Sequence, residues 1–308
     1  MLRRLFLWAS ENAWLRRRLP RYGFVRRAVS RFMPGEDVEA ALRASGALQK
    51  SGIGSVLTLL GENVRDEADT ATVVRHYLEV VEAIHARGLD AEVSVKLTHL
   101  GMDLDPALAT ANLIRIATRA AARRQDVAVD MEGSPYTERT VELFRRVRSA
   151  HANVGLCLQA YLRRTATDLD GLLPLHPMIR LVKGAYSEPA GIAFAQKQEV
   201  DSQFLLLAQR LLKAAGEDGT PRVVFGTHDA RLIADITRWA GAEGILPRAY
   251  EFHLLYGIGR AQQMSLVQSG HRVRVLISYG SAWFPWYMRR LAERPANVWF
   301  VVRSLFSR

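Results

Sequence analysis

The sequence predicts an α/β protein, a (β/α)8 TIM-like barrel with extra N-terminal helices. After Gly54, short runs rich in β-branched residues alternate with long stretches of helical periodicity, without a change in composition. Eight such units occur within about 250 residues, the usual size of this barrel. A doubly wound open sheet is the competing fold. It is disfavoured because no GxGxxG motif follows the first run and because polar residues recur at nearly every strand end.

The predicted elements are eight strands with helices between most of them. The strands cover residues 55–59, 91–96, 126–130, 154–160, 179–184, 222–227, 249–254 and 273–279. The helices cover residues 69–87, 106–124, 138–152, 201–215, 230–240 and 260–269. Such a barrel places its chemistry at the carboxyl ends of the strands, so we expect the polar residues found there to share one rim. These residues are Glu62, Lys96, Asp130, Glu132, Gln159, Arg180, Lys183, Thr227, His228, Glu251, His253 and Tyr279.

The composition excludes several classes of protein. With 308 residues and 49% hydrophobic content, the chain can bury a large core. No apolar run reaches the ~18 residues that span a bilayer, which predicts a soluble protein. Cys157 is the only cysteine, so an intramolecular disulfide and a multi-cysteine metal site are excluded and a reducing cytoplasm is the expected location. The eight histidines lack HExxH or HxH spacing, so we expect no metal.

Residues 1–41 are predicted to form a basic amphipathic helical segment ahead of a barrel domain at residues 42–308. Residues 1–31 contain nine arginines and one acidic residue, and they therefore carry +8 of the net charge of +11. Trp8 and Trp14 lie between the arginines. Such a segment suits an anionic membrane surface, where the protein would be peripheral on the inner face, or a docking partner. An ordinary helix with an arginine-rich outer face is the alternative, and nucleic acid is not expected because no recognition motif accompanies the charge.

Two adjacent arginines near the C-terminus indicate a binding site for a carboxylate. The run at residues 272–279 alternates polar and β-branched residues, ends at Gly280 and predicts a strand that a helix follows. Arg289 and Arg290 therefore lie on a helix just beyond a strand end, where two guanidinium groups would clamp a small carboxylic acid. Glu293 is within reach of both. A solvated basic helix face with one ion pair is the alternative.

Seven short motifs occur in order at the spacing of barrel units. They are Ser94-Val-Lys96-Leu-Thr, Val129-Asp130-Met131-Glu132, Leu158-Gln159-Ala160-Tyr161, Arg180-Leu-Val-Lys183-Gly184-Ala185-Tyr186, Thr227-His228-Asp229, Tyr250-Glu251-Phe252 and Arg289-Arg290-Leu-Ala-Glu293. From about Leu42 to its end, the chain resembles the proline dehydrogenases in their compact single-function bacterial form. The resemblance implies a distorted barrel that holds FAD, oxidises L-proline to Δ1-pyrroline-5-carboxylate and passes electrons to a membrane quinone. It also implies a separate pyrroline-5-carboxylate dehydrogenase, since that domain does not fit into 308 residues.

The resemblance assigns the substrate site. Arg289 and Arg290 would bind the carboxylate of proline, and Glu293 would hold one of them in place. Lys96 would lie near the same carboxylate, and Leu255 would cover the five-membered ring.

The resemblance also assigns the cofactor site. Asp130 would orient Lys96, and Arg180 would approach the flavin N5, where a cation stabilises the charge that develops on the reduced ring. The other residues that would line the cofactor are Met131, Gln159, Lys183, Gly184, Ala185, Thr227 and His228. Plain barrel packing is the alternative for Met131, Gly184, Ala185 and Leu255.

Two positions depart from the family pattern. Where a Val-Tyr-Val-Pro run is usual at the eighth strand, this chain has Leu276 for tyrosine and Ser278 for proline, and Trp286 replaces the tyrosine before the arginine pair. In the family both tyrosines pack around the substrate ring, and forms that favour 4-hydroxyproline have a smaller residue at the strand position. A dehydrogenase for 4-hydroxyproline or another cyclic imino acid is therefore one alternative function. A non-catalytic, membrane-docked barrel is the other.

Overall fold

The fold is a closed barrel of eight parallel strands, which confirms the predicted architecture. The computed structural model describes residues 8–9, 12–18, 22, 29–62, 64–215 and 221–293. Neighbouring strands follow chain order, and the last strand pairs with the first. The strands are β1 Gly54–Leu59, β2 Ala91–Val95, β3 Val127–Val129, β4 Val154–Gln159, β5 Met178–Val182, β6 Val223–Gly226, β7 Tyr250–Leu255 and β8 Arg272–Tyr279. Each of them overlaps a predicted strand.

Helices precede the barrel and then alternate with its strands. They are α1 Ala13–Arg18, α2 Val38–Gln49, α3 Glu67–Ala86, α4 Pro106–Ala122, α5 Ser134–Arg148, α6 Thr165–Leu172, α7 Lys197–Ala214, α8 Ala230–Ala242, α9 Arg260–Gln268 and α10 Trp283–Glu293. The sequence did not predict α6, which has only 8 residues and too few turns to show a helical period. Helix α5 begins at Ser134 rather than at residue 138, because Pro135 suits the first turn of a helix.

The two faces of each strand have different surroundings. Outward residues such as Val93 and Val95 join the large hydrophobic core between the strands and the helices. In α3, Val74, Tyr77 and Val81 recur at a spacing of three or four residues and are fully buried in the same core. Inward residues of the strands are often polar. The helix-covered side of the barrel therefore supplies most of the apolar burial, which leaves the interior free to hold charged groups.

Tyr77 connects β1 and β2 where their pairing ends. The register between these strands runs only to the pair of Leu57 and Val93. Beyond it, the Tyr77 hydroxyl donates to the Ser94 carbonyl oxygen at 3.0 Å and accepts from the Leu59 N–H at 3.2 Å. Burial raises the pKa of Tyr77 to about 12, so the hydroxyl keeps its proton at neutral pH. Helix α3 thus satisfies backbone groups that the strand pairing leaves open.

A buried ion network fills the interior at the N-terminal end of the strands. Arg222, just before β6, donates to both carboxylate oxygens of Glu251 at 2.8 Å. The same guanidinium donates to Glu92 and to Asp126, each at 2.8 Å. Burial alone would raise the pKa of Glu92 and of Glu251, but Arg222 holds both below their usual range. Both glutamates therefore stay ionised inside the barrel at neutral pH.

The network corrects one expectation. Glu251 and His253 were predicted to lie at the rim formed by the carboxyl ends of the strands, and this was wrong. Glu251 is the second residue of β7, and its carboxylate binds Arg222 at the opposite end of the barrel. His253 follows on the same face, with Nε2 3.4 Å from Glu251. Side chains alternate with a period of two, so the face was predictable, but the distance along the strand was not.

Arg222→Met should lower the free energy of unfolding by about 3–5 kcal/mol at pH 7, because two buried carboxylates lose the guanidinium that donates hydrogen bonds to both of them. In the wild type, the glutamates contribute stability above their unfolded pKa of about 4.3, and this contribution is lost as the pH falls further. The difference between variant and wild type should therefore shrink in acid. Urea unfolding at pH 7 and at about pH 4 measures both free energies.

Arg272→Met is the matched control, since its side chain is 66% exposed and lies 3.8 Å from Glu251. An exposed arginine at this distance from a carboxylate contributes about 1 kcal/mol or less. Equal losses in the two variants would show that the buried network does not stabilise the fold.

Candidate active site

Three charged side chains meet inside the barrel, one from β5 and one each from the residues that directly follow β2 and β3. Lys96 Nζ lies 2.6 Å from Asp130 Oδ2, and Arg180 donates to Asp130 Oδ1. Ser94 donates to Asp130 Oδ1 at 2.7 Å and accepts from Arg180 at 3.0 Å. The structure thus brings together Lys96, Asp130 and Arg180, which the sequence predicts for one site. Ser94 was given no role, although its spacing of two residues from Lys96 places both side chains on one face of β2.

Mutual compensation keeps these buried groups charged. Burial alone would raise the pKa of Asp130, but the Lys96 ammonium and the Arg180 guanidinium lower it to about 2. Burial alone would lower the pKa of Lys96, but the Asp130 carboxylate raises it above its usual range. The nearby His99 behaves differently, because burial and then the Lys96 charge lower its pKa to about 4. At neutral pH Lys96, Asp130 and Arg180 are therefore charged, and the His99 imidazole is neutral.

The interior is open above this network. Val182 follows Arg180 by two residues on the same face of β5, and it is only half-buried. Gly226 at the end of β6, Leu255 at the end of β7 and Leu276 in β8 are half-buried as well. Below them the inward residues are mostly buried. We call the half-buried residues 182, 226, 255 and 276 the mouth, since they surround an opening at the carboxyl ends of the strands.

A large cavity lies at the other end of the barrel. It has a volume of about 850 Å³, and its lining includes Asp126, Arg222, Glu251 and Arg272. The two acids in this lining are already bound by Arg222. The cavity is remote from Lys96 and Arg180, and so we place the candidate site at the mouth.

Gln159 and Met131 lie beside the network. The Gln159 side-chain N–H donates to the Met131 carbonyl oxygen at 3.1 Å. Within the described part of the chain, Gln159 Oε1 is buried without a hydrogen-bond partner. Because a buried carbonyl oxygen is costly to leave unpaired, this atom is suited to a donor from a bound molecule.

The loop after β5 starts with Lys183, Gly184 and Ala185, all half-buried. Lys183 Nζ lies 2.5 Å from Asp201 and 2.8 Å from Asp229. Gly184 has φ +116°, and a Cβ built there would collide with the ring of Tyr161. A side chain at Gly184 would therefore be strained both by its backbone conformation and by its neighbour.

Thr227 and His228 follow β6 at the same end of the barrel. The Thr227 hydroxyl accepts from the Asp229 N–H at 3.1 Å. His228 Nε2 accepts from the Leu255 N–H at 2.8 Å, which joins the loop after β6 to the end of β7. These residues therefore border the mouth on the side of β6 and β7.

Arg289, Arg290 and Glu293 lie on α10, which follows β8 at the carboxyl end of the barrel. Their side chains are outside the described part of the structure, so their predicted contacts stay predictions. Trp286 is buried in a hydrophobic cluster on α10 that also contains Phe32. Among the described residues, no group of three or more histidine, cysteine or acidic side chains is arranged to hold a metal ion.

Comparison with known proteins identifies the family. A sequence model described as Proline dehydrogenase matches residues 41–303. The chain belongs to the proline dehydrogenase family. Proline dehydrogenase 1 of Bacillus subtilis strain 168 is 37% identical over 311 residues, which cover 100% of each chain. Proline dehydrogenase of Deinococcus radiodurans is 38% identical over 280 residues, which cover 89% of each chain. The chain is thus an enzyme of this family, and the resemblance found in the motifs is confirmed.

A solved structure supports the fold of the chain. The crystal structure of proline utilization A from Bdellovibrio bacteriovorus, inactivated by N-propargylglycine, superposes with a TM-score of 0.81. The match covers 95% of this chain and 36% of that longer chain, at 23% identity. At such an identity the likeness shows the barrel fold alone.

Asp130→Asn should lower kcat/KM for L-proline by about 10²–10³-fold, because Lys96 and Arg180 then lie close together without a counter-ion. Ser94→Ala should cost about tenfold or less, since it removes a neutral hydrogen-bond donor. Steady-state assays with a soluble dye as electron acceptor measure both values.

Asp170→Asn is the matched control for this series. Asp170 forms an exposed ion pair with Arg210 at 3.2 Å, far from the mouth, and we expect unchanged kinetics. Activity of Asp130→Asn within threefold of the control would exclude Asp130 from the site.

Proposed function

We propose that the enzyme oxidises L-proline to Δ1-pyrroline-5-carboxylate, with FAD as its cofactor and a membrane quinone as the acceptor that takes the electrons away. The buried network of Lys96, Asp130 and Arg180 below the half-buried mouth carries this proposal. Two fixed cations suit this reaction. Lys96 can attract a small carboxylate substrate, and Arg180 can stabilise an acceptor that gains negative charge. We further propose that a separate pyrroline-5-carboxylate dehydrogenase consumes the product.

Several described residues fit a flavin. Gln159 Oε1 offers a buried acceptor to a ring N–H. Gly184 begins the adjoining loop with Lys183 and Ala185, and its missing Cβ makes room for the Tyr161 ring. Arg180 supplies a buried cation. When bound, FAD supplies the two-electron acceptor of the reaction. Of the other residues predicted to line it, those bordering the same mouth are Met131, Lys183, Ala185, Thr227 and His228.

The charged residues have separate roles in this proposal. Lys96 keeps its proton, because Asp130 raises its pKa, and it attracts the carboxylate of proline. Asp130 accepts from Lys96, Ser94 and Arg180, and with a pKa of about 2 it positions the two cations rather than taking a proton. Arg180 favours the reduced state of the acceptor through its charge.

The remaining substrate contacts come from α10 and β7. Arg289 and Arg290 bind the carboxylate in pairs of charge-assisted hydrogen bonds, and Glu293 orients one of them. Leu255, half-buried at the mouth, packs against the ring of the substrate. A site with arginines for the carboxylate and an apolar side chain for the ring suits a cyclic imino acid.

The colour of the purified enzyme tests the function. Protein with FAD should be yellow, and L-proline added without oxygen should bleach the flavin absorbance. Arg180→Met should slow this bleaching by on the order of 100-fold, because the reduced flavin loses its cation. A colourless chain that gains no activity from added FAD would instead support a non-catalytic, membrane-docked barrel.

Oxidation of 4-hydroxyproline is the second candidate function. Leu276, where the family usually has tyrosine, is half-buried at the mouth, so it leaves room for a ring substituent without offering a hydrogen bond. An apolar pocket discriminates against one small added group by only about 10–200-fold. A mixed preference for proline and trans-4-hydroxyproline is therefore the outcome we expect.

Leu276→Tyr should shift the ratio of kcat/KM values toward L-proline, because the added ring and hydroxyl fill the space for a substituent. The ratio is measured with both substrates under one set of conditions. Leu246→Tyr, at an exposed position at the opposite end of the barrel, is the control. An unmoved ratio in Leu276→Tyr would mean that this residue does not select the substrate.

We propose that residues 1–41 hold the cytoplasmic barrel, residues 42–308, against the inner face of the membrane that contains the quinone. Among the residues that the structure describes, no helix is both long and apolar enough to cross a bilayer. Trp8 and Trp14 are 57% and 60% exposed, and the Arg18 guanidinium lies 5.2 Å from the centre of the Trp14 ring. Exposed tryptophans next to arginines suit the interface of an anionic membrane.

Trp8→Ser combined with Trp14→Ser should weaken binding to vesicles that contain anionic lipid, while turnover with a soluble dye stays unchanged. Leu206→Ser, which removes a half-exposed apolar side chain from α7, is the control. Co-sedimentation at low and high salt measures binding, since attraction to anionic lipid is screened by salt. If the double variant sediments like the wild type, the N-terminal tryptophans are not the membrane contact.

A further inference from the structure

The connection between β8 and α10 decides where the arginine pair lies. Strand β8 ends at Tyr279 and α10 begins at Trp283, so three residues set the direction of the helix. Gly280 has φ +109°, which favours glycine. A Cβ at this position would lie 3.0 Å from Leu59 Cδ1 and 3.2 Å from the Leu60 carbonyl oxygen. The connection is therefore packed tightly against the end of β1.

Glu36 binds this connection at both of its ends. Its carbonyl oxygen accepts from the Gly280 N–H at 2.9 Å. Its carboxylate accepts from the Trp283 indole N–H at 3.0 Å. One residue from outside the barrel thus fixes the first residue of the turn after β8 and the first residue of α10 relative to each other.

Glu36 is itself held in place. A Cβ at Gly35 would lie 2.8 Å from Ala40 Cβ, so the backbone before Glu36 packs closely on α2. Asp37, immediately after it, caps α2 by accepting from the Ala40 N–H at 2.6 Å. The residues on both sides of Glu36 are therefore fixed to α2, and this holds Glu36 in place.

Residues 29–36, which we call the strap, also cover α10 with apolar side chains. Phe32 and Met33 are buried in one cluster with Trp283 and Tyr287, and the rings of Phe32 and Tyr287 lie 5.8 Å apart. A Cβ at Gly257 would collide with the strap backbone at Arg31. Gly257 is two residues from Leu255 at the mouth. The strap therefore contacts both segments that are proposed to bind the substrate.

We propose that Glu36 is a positioning residue for the substrate carboxylate, through its hold on α10. The inference rests on the proposed function, because it takes Arg289 and Arg290 as the carboxylate clamp. A bidentate guanidinium–carboxylate contact depends strongly on geometry, so a small rotation of α10 weakens it. The strap contacts described above involve the turn after β7, the turn after β8 and α10, and none of the residues proposed to hold the flavin. Loss of the Glu36 bond should therefore raise KM without changing flavin content.

Four variants test the assignment. Glu36→Ala and Trp283→Phe should each raise KM for L-proline by about tenfold, the effect of losing one hydrogen bond to a charged group, while kcat changes by about twofold or less. The double variant should raise KM little more than either single variant does, since both changes remove the same hydrogen bond. Glu36→Gln keeps an acceptor oxygen and should restore most of the affinity. Glu39→Ala, which removes an exposed ion pair with Arg87, is the control with unchanged KM.

Calorimetry with cyclopentanecarboxylate and with cyclopentanol distinguishes a displaced carboxylate clamp from a general loosening of the substrate site. Glu36→Ala should weaken the carboxylate about tenfold and leave the alcohol unchanged. Equal weakening of both ligands, or wild-type KM in Glu36→Ala and Trp283→Phe, would overturn the proposal. A wild type that does not oxidise L-proline would reject the proposed function alone, because the two dissociation constants still report on Glu36. If Glu36→Ala does not fold, Trp283→Phe and Glu36→Gln carry the same comparison.

Discussion

The Asp130 carboxylate lies inside the barrel between the Lys96 ammonium and the Arg180 guanidinium, and Ser94 donates a third hydrogen bond to it. Each of these charges would be costly to bury alone, and together they remain ionised. Arg180 comes from β5, whereas Lys96 and Asp130 come from the neighbouring β2 and β3. These strands lie side by side in the barrel wall, so Arg180 reaches past β4 to Asp130 on the same inner face. The charge state of the candidate site therefore depends on the order of the strands in the barrel.

The inward side chains of the strands form successive layers along the barrel, and these layers have different roles. At the N-terminal end of the strands, Arg222 satisfies Glu92 and Glu251, and the network is buried and complete. A small apolar cluster of Ala128, Met178 and Val224 follows one step along the strands. The network around Asp130 comes next, and above it the inward residues are half-buried. Ion pairs at the N-terminal end of the strands therefore stabilise the fold. At the carboxyl end, similar ion pairs leave the Lys96 and Arg180 cations facing the mouth.

Segments outside the barrel complete the substrate end. The strap, helix α10 and the turn after β7 form one apolar cluster across the mouth. Glu36 adds hydrogen bonds on both sides of the turn after β8. The strands and their immediate loops surround the proposed flavin position, while the strap holds the helix that is proposed to bind the carboxylate. Cofactor binding and substrate binding thus depend on different parts of the chain.

The sequence by itself determined the fold class, all eight strands to within a few residues, and the family. Alternation and motif order are local signals, and each barrel unit repeats them. It also selected Lys96, Asp130 and Arg180, which the structure brings together. Tertiary structure alone decided that Glu251 lies at the opposite end from Leu255, although both face the interior of β7. It alone paired Glu36 with Trp283, which is 247 residues away. Such contacts leave no periodic pattern, because their geometry exists only after the barrel closes and the strap packs over α10.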